Sequence, residues 1–253
     1  MKLLHLDIST GVAGDMLSAA LLELFEDREE IVARLNDIGI PGVVFRSDTV
    51  KSHDIVGTHM TVTWHGIEEE PGCQHEHHHD HHHDHRHLFD IHHIVDELDL
   101  PFRVKTHVRE VYYLIADAEA KVHGEPMEHI HFHELGTMDA VADICAACLM
   151  IDLLEVDRIV ATPICTGYGS IQCAHGILPV PAPATAVLLE GIPSFAGKIE
   201  GELSTPTGTA LIRHFAHEYG QQPPMIVEKR GYGIGKKDFG CLSAVRASIG
   251  EPV

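Results

Sequence analysis

The chain has 253 residues, is 44% hydrophobic and 22% charged, and carries a formal net charge of −20 with histidine counted neutral. Apolar residues recur from end to end, which excludes wholesale disorder, and the acidic balance leaves no basic excess to neutralise phosphates, which excludes a typical nucleic-acid binder. The length suits one large or two small domains, with lobes expected over about 1–125 and 126–253, and the 23 histidines far exceed ordinary usage.

The opening run Leu3-Leu4-His5-Leu6-Asp7 is too short for a signal peptide and predicts a buried strand. Ser9-Thr10-Gly11-Val12-Ala13-Gly14-Asp15-Met16 follows as a glycine-containing turn, and Leu17, Leu21, Leu24 and Phe25 then recur at helical spacing. A strand that turns into a helix is where α/β proteins place ligands, and free N–H groups at the helix start suit an anion. Asp7, Gly14 and Asp15 are therefore candidate binding residues, although Asp15 also suits the positive end of a helix dipole with no ligand at all. A second helix is predicted over 27–38, stopped by Gly39 and Pro41, and an antiparallel strand pair over 43–50 and 55–64.

Residues 66–87 read as a flexible, disordered insertion, since nothing in them can pack a core. Residues 75–87 hold nine histidines in thirteen positions, among them His77, His78, His79, His81, His82 and His83, with aspartates between them. Neutral imidazole is a good ligand for nickel, copper or zinc, and the absence of a fixed spacing predicts a multi-ion store. Cys73 adjoins the tract as a soft ligand.

Helices are predicted over 88–98 and 103–122. The junction Glu128-His-Ile-His131-Phe-His133-Glu134-Leu-Gly136 then leads into a helix over 138–154. On an extended segment His131 and His133 share one face, and Asp139 and Asp143, four apart, share a helix face. Together with Glu134 they make a divalent-ion or general acid–base site; singly, each has a structural reading as a cap, a packed imidazole or an ion-pair partner. Cys145 and Cys148 have CxxC spacing but sit in an alanine-rich apolar pattern, which predicts core packing. Asp143 and Asp152 interrupt the longest apolar stretch, so no membrane span is expected and the cytoplasm is the default compartment.

Beyond it come a strand over 158–164, a proline-set loop over 167–184 carrying His175, helices over 183–189 and 206–219, and strands over 225–232 and 242–249. Ser204-Thr205-Pro206-Thr207-Gly208 puts hydroxyls at a helix start, where Thr205 and Thr207 either bind an anion or cap the helix. Gly231-Tyr-Gly-Ile-Gly235 sets Lys236 and Lys237 beside a glycine-rich turn, again suited to an anion. The sum is an α/β protein with a mixed β-sheet covered by helices.

These stretches, in this order, resemble the nickel insertion proteins of the nickel-pincer nucleotide pathway, the pyridinium-3,5-bisthiocarboxylic acid mononucleotide nickel chelatases. The resemblance rests on residues 7–16, the histidine insertion, and residues 131–143, 167–184, 203–211 and 231–235, and so spans nearly the whole chain. It implies a lyase that loads nickel into a pyridinium mononucleotide bearing two thiocarboxylates, consuming CTP to CMP and pyrophosphate with magnesium or manganese. Its product would serve apo lactate racemase or a related enzyme.

On this resemblance the tract stores nickel, and His131, His133, Asp139 and Asp143 hold metal. His133, Glu134 and His175 deliver nickel or accept the ring proton, while Asp7, Gly14, Asp15, Thr205, Thr207 and Lys236 seat the mononucleotide. Family members continue into a C-terminal CTP-binding domain, so this chain is expected to match the N-terminal part and to need that part as partner, within a homo-oligomer and without nucleic acid or membrane. Two other readings are open at this point: a non-catalytic nickel store or metallochaperone, and a divalent-metal phosphohydrolase using the 131–143 cluster.

Overall fold

Leu3, Leu4, His5 and Leu6 are all buried, and so the first strand, β1 (Leu3–Asp7), lies inside its sheet. The computed structural model describes residues 1–68, 86–132, 137–173 and 176–253. The histidine tract, expected as a disordered insertion, falls on 69–85, outside the described residues.

After β1 comes α1 (Gly14–Leu22), apolar nearly all round and buried at every position but Asp15. Asp27 caps α2 (Arg28–Asp37) by accepting the Glu30 N–H. The strands β2 (Val43–Ser52) and β3 (Ile55–Trp64) pair antiparallel along their whole length, as their alternation predicts. Beyond the tract are α3 (Leu88–Glu97) and α4 (Phe102–His123), the latter closed by Gly124 in the left-handed conformation. Thr137 caps α5 (Met138–Leu154) through the Ala140 N–H.

The chain continues through β4 (Arg158–Ala161), β5 (Ile164–Cys165), β6 (Gly167–Tyr168), β7 (Ser170–Cys173), β8 (Gly176–Pro179) and α6 (Pro183–Leu188). Next are β9 (Ser194–Phe195), β10 (Gly201–Glu202), α7 (Pro206–Phe215), β11 (Glu218–Tyr219), β12 (Met225–Ile234) and β13 (Ala244–Pro252).

Among the described residues the main sheet has seven strands in the order β11-β4-β1-β13-β12-β3-β2. β11, β4 and β1 run parallel, β13 is antiparallel to both β1 and β12, and β12 meets β3 in parallel at a single residue pair. The sheet is therefore mixed. One hydrophobic cluster runs from it through α1, α5 and α4, and no helix among the described residues is long and apolar enough to cross a membrane.

Three boundaries differ from expectation. The helix expected over 206–219 stops at Phe215, because Ala216 turns extended and Glu218 and Tyr219 pair with β4. Sheet hydrogen bonds outweigh the last helical turn. The strand expected over 158–164 ends at Ala161, and Ile164 begins a separate pairing with β9. Gly231 and Gly233 lie within β12 and not in a turn: a Cβ at either would overlap a main-chain oxygen of α1, so their bareness lets helix and strand approach closely.

Candidate functional site

The loop after β1 is strapped to the segment before α7. Val12 N–H donates to Leu203 O at 2.9 Å and Thr205 N–H to Val12 O at 3.0 Å, so α1 and α7 begin side by side. The first turn of α1 also meets the second turn of α5. Gly14 allows this: a Cβ there would overlap Asp143 Oδ2 and stand 2.7 Å from Asp143 Cβ.

Asp143 is thereby sealed, at 8% exposure, between two helix starts. Burial pushes its carboxyl well above the usual range, and the nearby Asp139 and Asp15 charges push it further; Lys236 and the Asp15 N–H oppose this. Its Oδ1 has no hydrogen-bond partner among the described residues. Asp15, partly buried, is also raised, first by burial and against the pull of Lys236, its neighbouring N–H groups and His59. Three carboxyls in one low-dielectric spot cannot all be charged without a cation. Among the described residues Lys236 supplies one: burial lowers its pKa, but its contact with Glu68 at 2.8 Å and the Asp139 and Asp15 charges outweigh that and raise it.

Lys236 also lines a cleft of about 540 Å³ whose walls include Lys51, His59, Glu68, Lys237 and Asp238. That volume is in the range of small-molecule sites, and its three lysines favour an anion. His59 Nδ1 lies 2.9 Å from Ile234 O, which fixes the ring at the inner wall. A second cleft of about 340 Å³, beside Arg34, Asp37 and Asp99, shares none of these groups.

Before residues 69–85, Glu68 pairs with Lys236. After them, Arg86 bridges Phe132, His87 Nδ1 lies 3.2 Å from Ile130 O, and the rings of His87 and His131 meet, tilted, at 4.0 Å.

The expected site residues are thus distributed unevenly. Gly14, Asp15, Asp139, Asp143 and Lys236 come together, and His131 sits by the return of the tract. Asp7 stands apart, its oxygens taken by Ser9 at 2.6 Å and Arg246 at 2.5 Å. Thr205 caps α7 by accepting the Gly208 N–H at 3.2 Å, and Thr207 is buried in the first turn. His133, Glu134, His175 and His77, His78, His79, His81, His82 and His83 lie outside the described residues. His59 and Glu68 were not anticipated. His59 is one residue of an alternating strand, and Glu68 looks like the start of an acidic run, so only their cross-chain neighbours mark them out. Cys145 and Cys148 are fully buried, and burial pushes Cys145 up to about 12 and Cys148 well above its usual value, so both are protonated packing residues.

Comparison with known proteins matches residues 4–252 to a family described as "Nickel insertion protein". A "Putative nickel insertion protein" of Dictyoglomus thermophilum is 39% identical over 253 residues, covering 100% of this chain and 62% of the relative. Proteins named "Pyridinium-3,5-bisthiocarboxylic acid mononucleotide nickel insertion protein" from Desulfitobacterium hafniense and Geobacillus kaustophilus are each 38% identical over 99% of this chain, and 59% and 60% of their own lengths. The chain thus spans about three fifths of the curated relatives it matches. No solved structure matches it.

Proposed function

Because the chain belongs to the nickel insertion protein family, we propose that it holds nickel and transfers it into pyridinium-3,5-bisthiocarboxylic acid mononucleotide, the molecule named for its relatives. The reaction needs donors that bind Ni(II) without trapping it, a seat for an anionic mononucleotide, and an acceptor for the ring proton. That proton leaves as the carbon–nickel bond replaces the carbon–hydrogen bond, with no change of oxidation state.

One observation carries the reading: Asp143 is buried with an unpaired oxygen beside Asp15 and Asp139, and Lys236, which acts on all three, also lines the lysine-bearing cleft. Nickel binding there displaces the proton that burial retains on Asp143. The thiocarboxylate sulfurs, softer donors than carboxylate, then take the ion. Lys236, Lys237 and Lys51 face the mononucleotide's phosphate, with Thr205 and Thr207 as further contacts. Asp15, whose carboxylate burial makes more basic than an exposed one, is suited to accept the ring proton; His133, Glu134 and His175 are proposed alongside it on the family resemblance. The histidine tract supplies the metal, and its flanking Glu68, paired with Lys236, supports delivery into this cluster.

The magnesium or manganese that the family resemblance implies is assigned, like CTP, outside this cluster. CTP use, and handover to apo lactate racemase or a related enzyme in the cytoplasm, are assigned to the assembly formed with the remaining length of the relatives. The test is mass spectrometry of the thiocarboxylated mononucleotide incubated with nickel, CTP, this chain and that C-terminal part. A nickel adduct is expected, and Asp143→Asn should reduce its rate at least 100-fold. An adduct formed at the parental rate by Asp143→Asn contradicts the site.

A further inference from the structure

The long helix α4 and the short helix α7 meet through a pair of imidazoles away from the carboxylate cluster. His107 Nδ1 and His214 Nε2 are 2.9 Å apart, and the Glu110 carboxylate, one turn along α4, points at both. Its Oε2 is 3.9 Å from His107 Nδ1 and 3.7 Å from His214 Nε2. Ligands about 2.1 Å from an ion and separated by 90–110° are about 3.0–3.4 Å apart, so a shift of a few tenths of an ångström turns this triangle into three corners of a coordination shell. We propose that His107, Glu110 and His214 form a divalent transition-metal site that ties α4 to α7.

Several features of the place suit a cation. Two imidazoles and one carboxylate are a borderline donor set, right for nickel or zinc and poor for magnesium or calcium. The Phe215 ring lies 5.2 Å from His107 and 4.5 Å from His214, shielding the inner side. Glu110 is 57% exposed and His107 32%, which leaves room outside for water or a fourth ligand. His214 stands in the last turn of α7, where the helix dipole presents its negative end. Without metal, two ring nitrogens in contact must share one proton, which stabilises the helix junction far less than three bonds to an ion. His107 and Glu110 sit at i, i+3 on α4, so the signal was present in the sequence, but His214 is 107 residues away.

This site does not depend on the nickel-insertion reading, and the test separates it from both other metal-binding regions. Metal bound only to ligands close along the chain, as in residues 75–87, is available to the unfolded protein too and raises the melting temperature little; metal bridging two core helices binds the native state alone. The full chain, stripped with chelator, is melted with and without excess zinc, and compared with His107→Gln/His214→Gln and with Asp143→Asn. Zinc should raise the melting temperature by about 5 °C or more in the parent. Most of that rise should survive Asp143→Asn and be lost in the double histidine variant. A rise undiminished in the double histidine variant, or no rise in the parent, overturns the proposal and leaves the two imidazoles as a packing contact.

Discussion

Helix α5 carries two pairs of ionisable side chains on neighbouring turns, with opposite consequences. Cys145 and Cys148 lie in the helix interior among apolar side chains, and burial simply keeps them protonated. Asp139 and Asp143 lie in the first two turns, where the start of α1, the Asp15 N–H and Lys236, itself a wall of the cleft, come close. Burial raises the pKa of Asp143 as it does those of the two thiols. The carboxylates have a counter-charge beside them, and that difference separates a reactive cluster from a packed core.

Substitutions can break this contrast. The largest effect after Asp143→Asn itself is expected from Gly14→Ala, whose new methyl must displace the Asp143 carboxylate or the α1 backbone: at least tenfold slower nickel transfer and about 1–3 kcal/mol of lost stability by denaturant melts. Asp143→Asn should have the opposite effect on metal-free stability. A carboxyl whose folded pKa is raised stabilises most below its unfolded pKa of about 4 and loses that contribution as pH rises through the folded value. The metal-free amide variant should therefore melt higher than the parent at pH 7, by about 2–4 °C for each kcal/mol relieved, and the gap should close towards pH 4.

Smaller is the effect expected at Cys145→Ala/Cys148→Ala: about 1 kcal/mol of stability for each lost thiol, with nickel transfer unchanged. A transfer defect there would give the thiols a role that their burial denies. Smallest is Asp7→Asn. Burial raises the Asp7 carboxyl, but Ser9 and Arg246 outweigh it and the net pKa is lowered. Its stabilisation is present above the unfolded pKa and fades as pH falls through the folded one. The variant should be less stable by under about 1 kcal/mol at pH 7, with the difference vanishing in acid.

Local rules made much of this legible from the sequence. Alternation in β2 and β3, the Asp27 and Thr137 caps and the Gly124 stop are written in adjacent residues, and the i, i+4 spacing of Asp139 and Asp143 marked the heart of the candidate site. What escaped was long-range. The Gly231 and Gly233 pattern resembles a turn until α1 is laid across it. The helix expected to continue to Tyr219 yields to β4, and Lys236, read as an anion ligand beside a glycine-rich turn, also pairs with Glu68 beside three aspartates. His59 and the His107–Glu110–His214 triangle depend on contacts between distant segments that no window of sequence contains.

The central claim is that nickel binds at Asp143. Anomalous diffraction at the nickel edge, from nickel-soaked crystals of the chain, tests it most directly. The account predicts a peak within coordination distance of Asp143 Oδ1, shared with Asp139 or Asp15, that is absent in crystals of Asp143→Asn. A well-ordered pocket with no nickel peak, while nickel occupies other ligands of the same crystal, would contradict it.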